Sequence, residues 1–92
     1  MNTEIRRSKQ EIIHDMLHAL QEKGGTIKPT HLLYKSNLSH TRMKEYLDEL
    51  RGKGLIEEQI HKDKMMIALT DQGYEFLAKL RQLKAFTEAF GL

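Results

Sequence analysis

Two short stretches carry the side chains best suited to chemistry. The first is His-Asp-Met-Leu-His, residues 14–18. Histidines four positions apart share one helical face, the spacing of a helical zinc pair, and a third ligand plus a general base would make such a site hydrolytic. Here the residue after His14 is Asp15 rather than the glutamate of the protease motif, and the chain contains no cysteine. No third ligand is placed by spacing. The two histidines flank an apolar stripe, so packing at the edge of a core is the simpler reading. Neither a nucleophile triad nor a glycine-rich phosphate loop occurs elsewhere. The sequence therefore reads as non-enzymatic, with no catalytic residue, no metal site and no cofactor.

The second stretch is Ser39-His40-Thr41-Arg42-Met43-Lys44-Glu45. Its side chains donate and accept hydrogen bonds in a dense row. Arg42 has the forked donors that bridge O6 and N7 of guanine. Lys44 and Ser39 suit phosphate oxygens, while Glu45 would accept from cytosine or repel a phosphate. A solvated helix face looks the same by polarity alone, and on polarity alone that bland reading prevails. Context must decide.

Further basic residues extend the pattern. Lys62 and Lys64 lie in a polar link between two apolar runs, where they suit either phosphate contact or solubility. Arg6, Arg7 and Lys9 precede the first helix and form either a flexible arm on a nucleic-acid backbone or a frayed end. Glu57 and Glu58 oppose tight electrostatic binding. The net charge of +2 and a pI near 8.9 permit a polyanionic partner without requiring one. No apolar run is long enough for a membrane span, and the polar start lacks a signal-peptide core. The expectation is a cytoplasmic protein with no membrane partner and no evident small-molecule ligand.

These side chains need elements to position them. Ser8 and Glu11 form a capping box for a helix over 8–23, with Ile12, Ile13, Met16, Leu17 and Leu20 as its apolar stripe. Gly24 and Gly25 stop it. Thr26–Lys28 can form a very short strand. Pro29 suits a first helical turn, which predicts a second helix over 31–35 with Leu32 and Leu33 inward. Asn37 is the residue most tolerant of positive φ in the turn that follows. Ser39 then caps a third helix over 40–53, whose Met43, Leu47 and Leu50 face a core. Gly54 ends that helix and lets Leu50 meet Leu55.

Residues 55–60 and 65–69 read as two strands joined through His61-Lys62-Asp63-Lys64, with Met65, Ile67 and Leu69 on one face. Thr70 caps a fourth helix from Asp71 to about Phe90. Gly73 in its first turn costs roughly 1 kcal/mol against alanine, which suggests a close backbone approach. Phe76, Leu80, Leu83, Thr87 and Phe90 step by four, three, four and three along that helix, a seam of coiled-coil type. Tyr74 and Leu77 would cover the domain's own core.

The order helix, strand, helix, turn, helix, hairpin, helix is that of a winged helix-turn-helix. The stretch Ser36–Glu58 followed by Met65–Leu80 resembles the archaeal winged helix-turn-helix family of small DNA-binding proteins. Asn37-Leu38-Ser39 matches its turn before the recognition helix, and Leu69-Thr70-x-x-Gly73 its step into the last helix. The resemblance implies one α+β, mostly α domain: an arm (1–7), a three-helix core with a β-hairpin wing (8–70), and a C-terminal dimerisation helix (71–91). It also implies homodimers joined through those helices. In that context the row from Ser39 to Glu45 is expected in the major groove of double-stranded DNA, in a nucleoid-associated transcriptional regulator or architectural protein. The competing expectation is a winged helix that binds another polypeptide and no DNA.

Overall fold

A computed structural model describes residues 7–92. Helix α1 (Lys9–Glu22) starts with the anticipated reciprocal cap: the Glu11 amide donates to Ser8 Oγ at 3.1 Å, and the Ser8 amide donates to the Glu11 carboxylate at 2.7 Å. At its other end Gly25, at φ +103°, returns its amide to the Leu20 carbonyl at 2.8 Å. Ile12, Ile13, Met16, Leu17, Ala19 and Leu20 are buried, so this one helix supplies the centre of the core.

The chain continues through β1 (Thr26–Ile27) into α2 (Pro29–Ser36) and α3 (His40–Gly52). Proline at the first turn, whose amide would be unsatisfied anyway, starts α2 two residues earlier than its apolar pattern suggested. Between α2 and α3, Asn37 adopts φ +55°. Ser36 is fully buried and satisfied by donating to the Leu32 carbonyl at 2.7 Å. The Ser39 hydroxyl accepts from the Arg42 amide at 3.1 Å and fixes where α3 begins. At the end of α3, Gly54 and Leu55 donate to the carbonyls of Arg51 and Leu50. This is the Schellman pairing expected of Gly54 at φ +78°.

Strands β2 (Ile56–His61) and β3 (Lys64–Leu69) form the hairpin, and β1 pairs with the far side of β3, giving the order β1-β3-β2. All pairings are antiparallel. The tip is tighter than a four-residue link. His61 pairs with Lys64, and only Lys62 (φ +53°) and Asp63 (φ +64°) turn the chain. Two consecutive positive φ values define the hairpin turn whose twist matches the strands, here built without Asn-Gly.

Helix α4 (Asp71–Ala89) is locked at its start. Thr70 Oγ1 accepts from the Gly73 amide at 3.0 Å and donates to the Gly54 carbonyl at 2.6 Å. Gly73 is buried against the Leu55 backbone, where a Cβ would collide with the Leu55 carbonyl oxygen. That contact is the close approach the glycine implied. Leu77 then completes the core, joined by Leu32, Met43, Leu50, Ile56, Ile67 and Leu69. The distal half of α4 carries Leu83, Phe86 and Phe90 into solvent, with the Phe86 and Phe90 rings 5.0 Å apart. Among the described residues no helix is long and apolar enough to cross a membrane.

Candidate nucleic-acid interface

Helix α3 is divided along its length as well as around its axis. Met43 and Leu50 are buried, with Tyr46 and Leu47 half-buried beside them, and these hold one face on the core. His40, Thr41, Arg42, Lys44 and Glu45 are all exposed. Ser39 is exposed as well, though its hydroxyl oxygen already accepts the cap bond from the Arg42 amide. The guanidinium of Arg42 lies 5.8 Å from the centroid of the Tyr46 ring and makes no ion pair among the described residues. A cation over an aromatic face is steered without being neutralised.

Further along α3 the charges are committed. Lys44 approaches Asp48 at 3.5 Å. Arg51 reaches Asp48 at 2.6 Å and Glu58 on β2 at 2.8 Å, tying helix to wing. Lys9 at the start of α1 holds Glu49 at 2.8 Å. That hydrogen bond draws the Glu49 carboxyl below its ordinary value and raises the Lys9 ammonium above its own. Uncompensated positive charge therefore sits on the first turn of α3, where a recognition helix meets base edges.

On the wing, Lys62 and Lys64 are exposed and have no ion partner among the described residues. Arg7 departs from expectation. Its guanidinium meets Asp15 at 2.8 Å and donates to the carbonyls of Ser36 at 2.8 Å and Asn37 at 3.3 Å, leaving the side chain only 18% exposed. A cation at the carbonyl end of α2 satisfies orphan acceptors and the helix dipole together. Arg7 thus belongs to the folded domain as a clasp between α1 and α2. Arg6 lies outside the described residues.

One basic cluster was not anticipated. Lys23, Lys28 and Lys35, from the end of α1 and both ends of α2, surround His31. Desolvation, followed by these three ammonium groups, lowers the His31 pKa. Tyr34 stands beside them on α2 at 85% exposure. No local spacing signals this cluster, because its members come from separate turns brought together by the α1–α2 connection.

The side chains of the histidine pair engage each other and their neighbours. The His14 and His18 rings stack at 5.7 Å, and His18 Nδ1 accepts from Arg81 at 2.5 Å while its Nε2 faces Glu22 at 3.4 Å. Among the described residues no group of three acidic or imidazole side chains is placed to hold a metal ion.

The seam on α4 is only partly a surface. Phe76, Leu83 and Phe90, seven residues apart, are exposed on one stripe. Leu80 packs against the domain's own core, and Thr87 is half-buried with its hydroxyl donating to the Lys84 carbonyl at 2.9 Å. Phe86 lies alongside the outer stripe instead. Leu80 fits the seam's spacing, but it also follows Gly73 and Leu77 around the core-facing side.

Comparison with known proteins agrees with this architecture. Residues 6–88 match a family model described as winged helix-turn-helix. Among solved structures the fold is similar to that of Sso10a-2, a DNA-binding protein from Sulfolobus solfataricus, at 19% identity and a TM-score of 0.78. That likeness covers 91% of this chain and 85% of the other. No curated protein matches by sequence. With the family match spanning nearly the whole chain, and α2, α3 and the β2–β3 wing in the expected order, the chain belongs to the winged helix-turn-helix family.

Proposed function

We propose that this protein binds double-stranded DNA as a homodimer, with α3 in the major groove and the wing on the flanking backbone. The observation that carries the reading is the first turn of α3. It holds exposed donors, with an arginine that has no ion pair among the described residues, over a face anchored by Met43 and Leu50. The fold it shares with a DNA-binding protein supports the same reading. Arg42 reads guanine, Ser39 and Lys44 hold phosphates, and His40, Thr41 and Glu45 line the groove. Lys44 leaves Asp48 to do so, an exchange of one exposed ion pair for another. Lys62 and Lys64 contact phosphates from the wing, and Arg6 is a further candidate phosphate contact. The role is a nucleoid-associated regulator or architectural protein without catalytic activity.

The dimer forms through α4, where Phe76, Leu83 and Phe90 present an apolar stripe that water disfavours. A two-fold pair of this kind presents two α3 helices to one duplex.

A salt series on random duplex DNA tests the reading. Binding should weaken as salt rises, because phosphate contacts release counterions. Replacing both Lys62 and Lys64 by alanine should reduce the slope of log affinity against log salt by roughly two. The balanced charge around the wing, with Glu57, Glu58 and Asp63 beside the lysines, favours a second reading in which the surface docks another polypeptide. A parent protein with no salt-dependent DNA binding would favour that reading and exclude the first.

A further inference from the structure

The apolar stripe of the wing outruns the core it serves. Residues directly opposite in an antiparallel pair share a face, and alternate residues along each strand return to it. By register Ile56 faces Leu69, Glu58 faces Ile67, and Ile60 faces Met65 on that one face. The pair nearest the domain, Ile56 and Leu69, is buried, as is Ile67. The pair nearest the tip is not: Ile60 is 73% exposed and Met65 39%. β2 is also an edge strand of the sheet, where an exposed apolar side chain invites unwanted pairing. A solubilising tip would carry a polar residue at position 60.

The surroundings of this pair indicate what would cover it. Lys62 and Lys64 lie within a few residues of Ile60, exposed and without ion partners among the described residues, and His61 stands opposite Lys64 on the other face. An isolated apolar pair on a narrow ribbon, flanked by free cations, complements a surface with apolar walls and anionic rims. The minor groove of duplex DNA has deoxyribose walls, phosphate edges and a width of about 6 Å, which admits a side chain but no helix. Isoleucine and methionine are among the side chains that wedge between base steps there.

We propose that Ile60 is a minor-groove wedge, backed by Met65, while Lys62 and Lys64 hold the phosphates on the groove's rims. This rests on the DNA-binding reading above and adds a contact that phosphate and major-groove chemistry do not supply. The wedge contributes affinity without releasing counterions, so its signature differs from that of the lysines.

The test uses the parent protein, Ile60→Ser and Ile60→Leu on an A·T-rich duplex across a salt series. The same titrations are repeated with the minor groove filled by netropsin. Ile60→Ser should weaken binding about tenfold with the salt slope unchanged, while Ile60→Leu stays near the parent. With the groove filled, parent and Ile60→Ser should bind alike. Because Ile60 is exposed, the variants should melt with the parent, which separates lost contact from lost fold. Equal binding of parent and Ile60→Ser on open duplex would overturn the wedge, as would a tenfold gap that persists with the groove filled. A parent that binds no DNA would overturn the underlying reading itself, an outcome distinct from both.

Discussion

Helices α3 and α4 solve the same problem in opposite directions. Each is anchored at one part of its length and offers the rest. α3 is tethered through Met43, Leu50 and the ion pairs of Glu49 with Lys9 and Arg51 with Glu58, and presents its first turns. α4 is locked at its start by Thr70, Gly73 and Leu77 and presents its last turns. What they present differs. The free part of α3 is polar and charged, at ease in water until a partner arrives. The free part of α4 carries Phe86 and Phe90, exposed at 62% and 69%, and leaving such rings in water forgoes roughly 1.5 to 3 kcal/mol apiece. A polar surplus fits an intermittent partner of opposite charge, and an apolar surplus fits a permanent one of the same kind.

The largest expected effect lies on the apolar side. In a two-fold interface every substitution appears twice. Phe90→Asp should therefore weaken self-association by about 3 to 6 kcal/mol, enough to leave a monomer at micromolar concentration. Sedimentation equilibrium reads this directly. A parent that is itself monomeric would remove the contrast drawn between the two helices.

Next comes the anchored end of α4. In an exposed helical turn, alanine is favoured over glycine by about 1 kcal/mol. At position 73 the sign should reverse, because the added methyl meets the Leu55 carbonyl oxygen, a backbone atom held by the Thr70 amide at 3.2 Å. Gly73→Ala should destabilise the fold by roughly 2 to 3 kcal/mol in urea unfolding. A stabilised variant would show that α4 can shift outward, and that its start is no anchor.

The anchors were the legible part of this molecule, and the reason is range. Ser8 with Glu11, Ser39 with the Arg42 amide, Gly54 with Leu55 and Thr70 with Gly73 each act within a few residues, so spacing alone reveals them. The offered surfaces were half legible. The row from His40 to Glu45 could be read as exposed because its buried partners alternate with it on one helix. Leu80 could not be separated from the outer stripe, since spacing within α4 says nothing of where α1 lies. Arg7 looked like part of an arm because its partners Ser36 and Asn37 are about thirty residues away. The Lys62-Asp63 turn lacked the glycine or asparagine that normally announces two positive φ values. The cluster of Lys23, Lys28 and Lys35 exists only once α1 and α2 are joined.

On the polar side, Arg42→Ala should cost about 1 to 3 kcal/mol on a preferred site and less on random DNA, relaxing sequence preference. Affinity measured on both substrates separates base reading from charge. An equal loss on each would reduce Arg42 to a phosphate contact.

The smallest effect tests whether the rear of α3 is held electrostatically at all. Glu49 ionises more readily in the folded protein because Lys9 hydrogen-bonds its charged form. The stability this provides is present above the ordinary glutamate value of 4.5 and is lost as pH falls through the lower folded value. Lys9, raised above 10.5, keeps its contribution until the pH climbs through its folded value. Glu49→Gln should therefore melt slightly below the parent at pH 7, and the gap should narrow as the pH falls below 4.5. Both groups are solvent-exposed, so screening keeps the difference small, and added salt should shrink it further. A gap that persisted in acid would mean that Glu49 acts by packing. The tether between α1 and α3 would then be apolar throughout, leaving the charges of α3 to their partner alone.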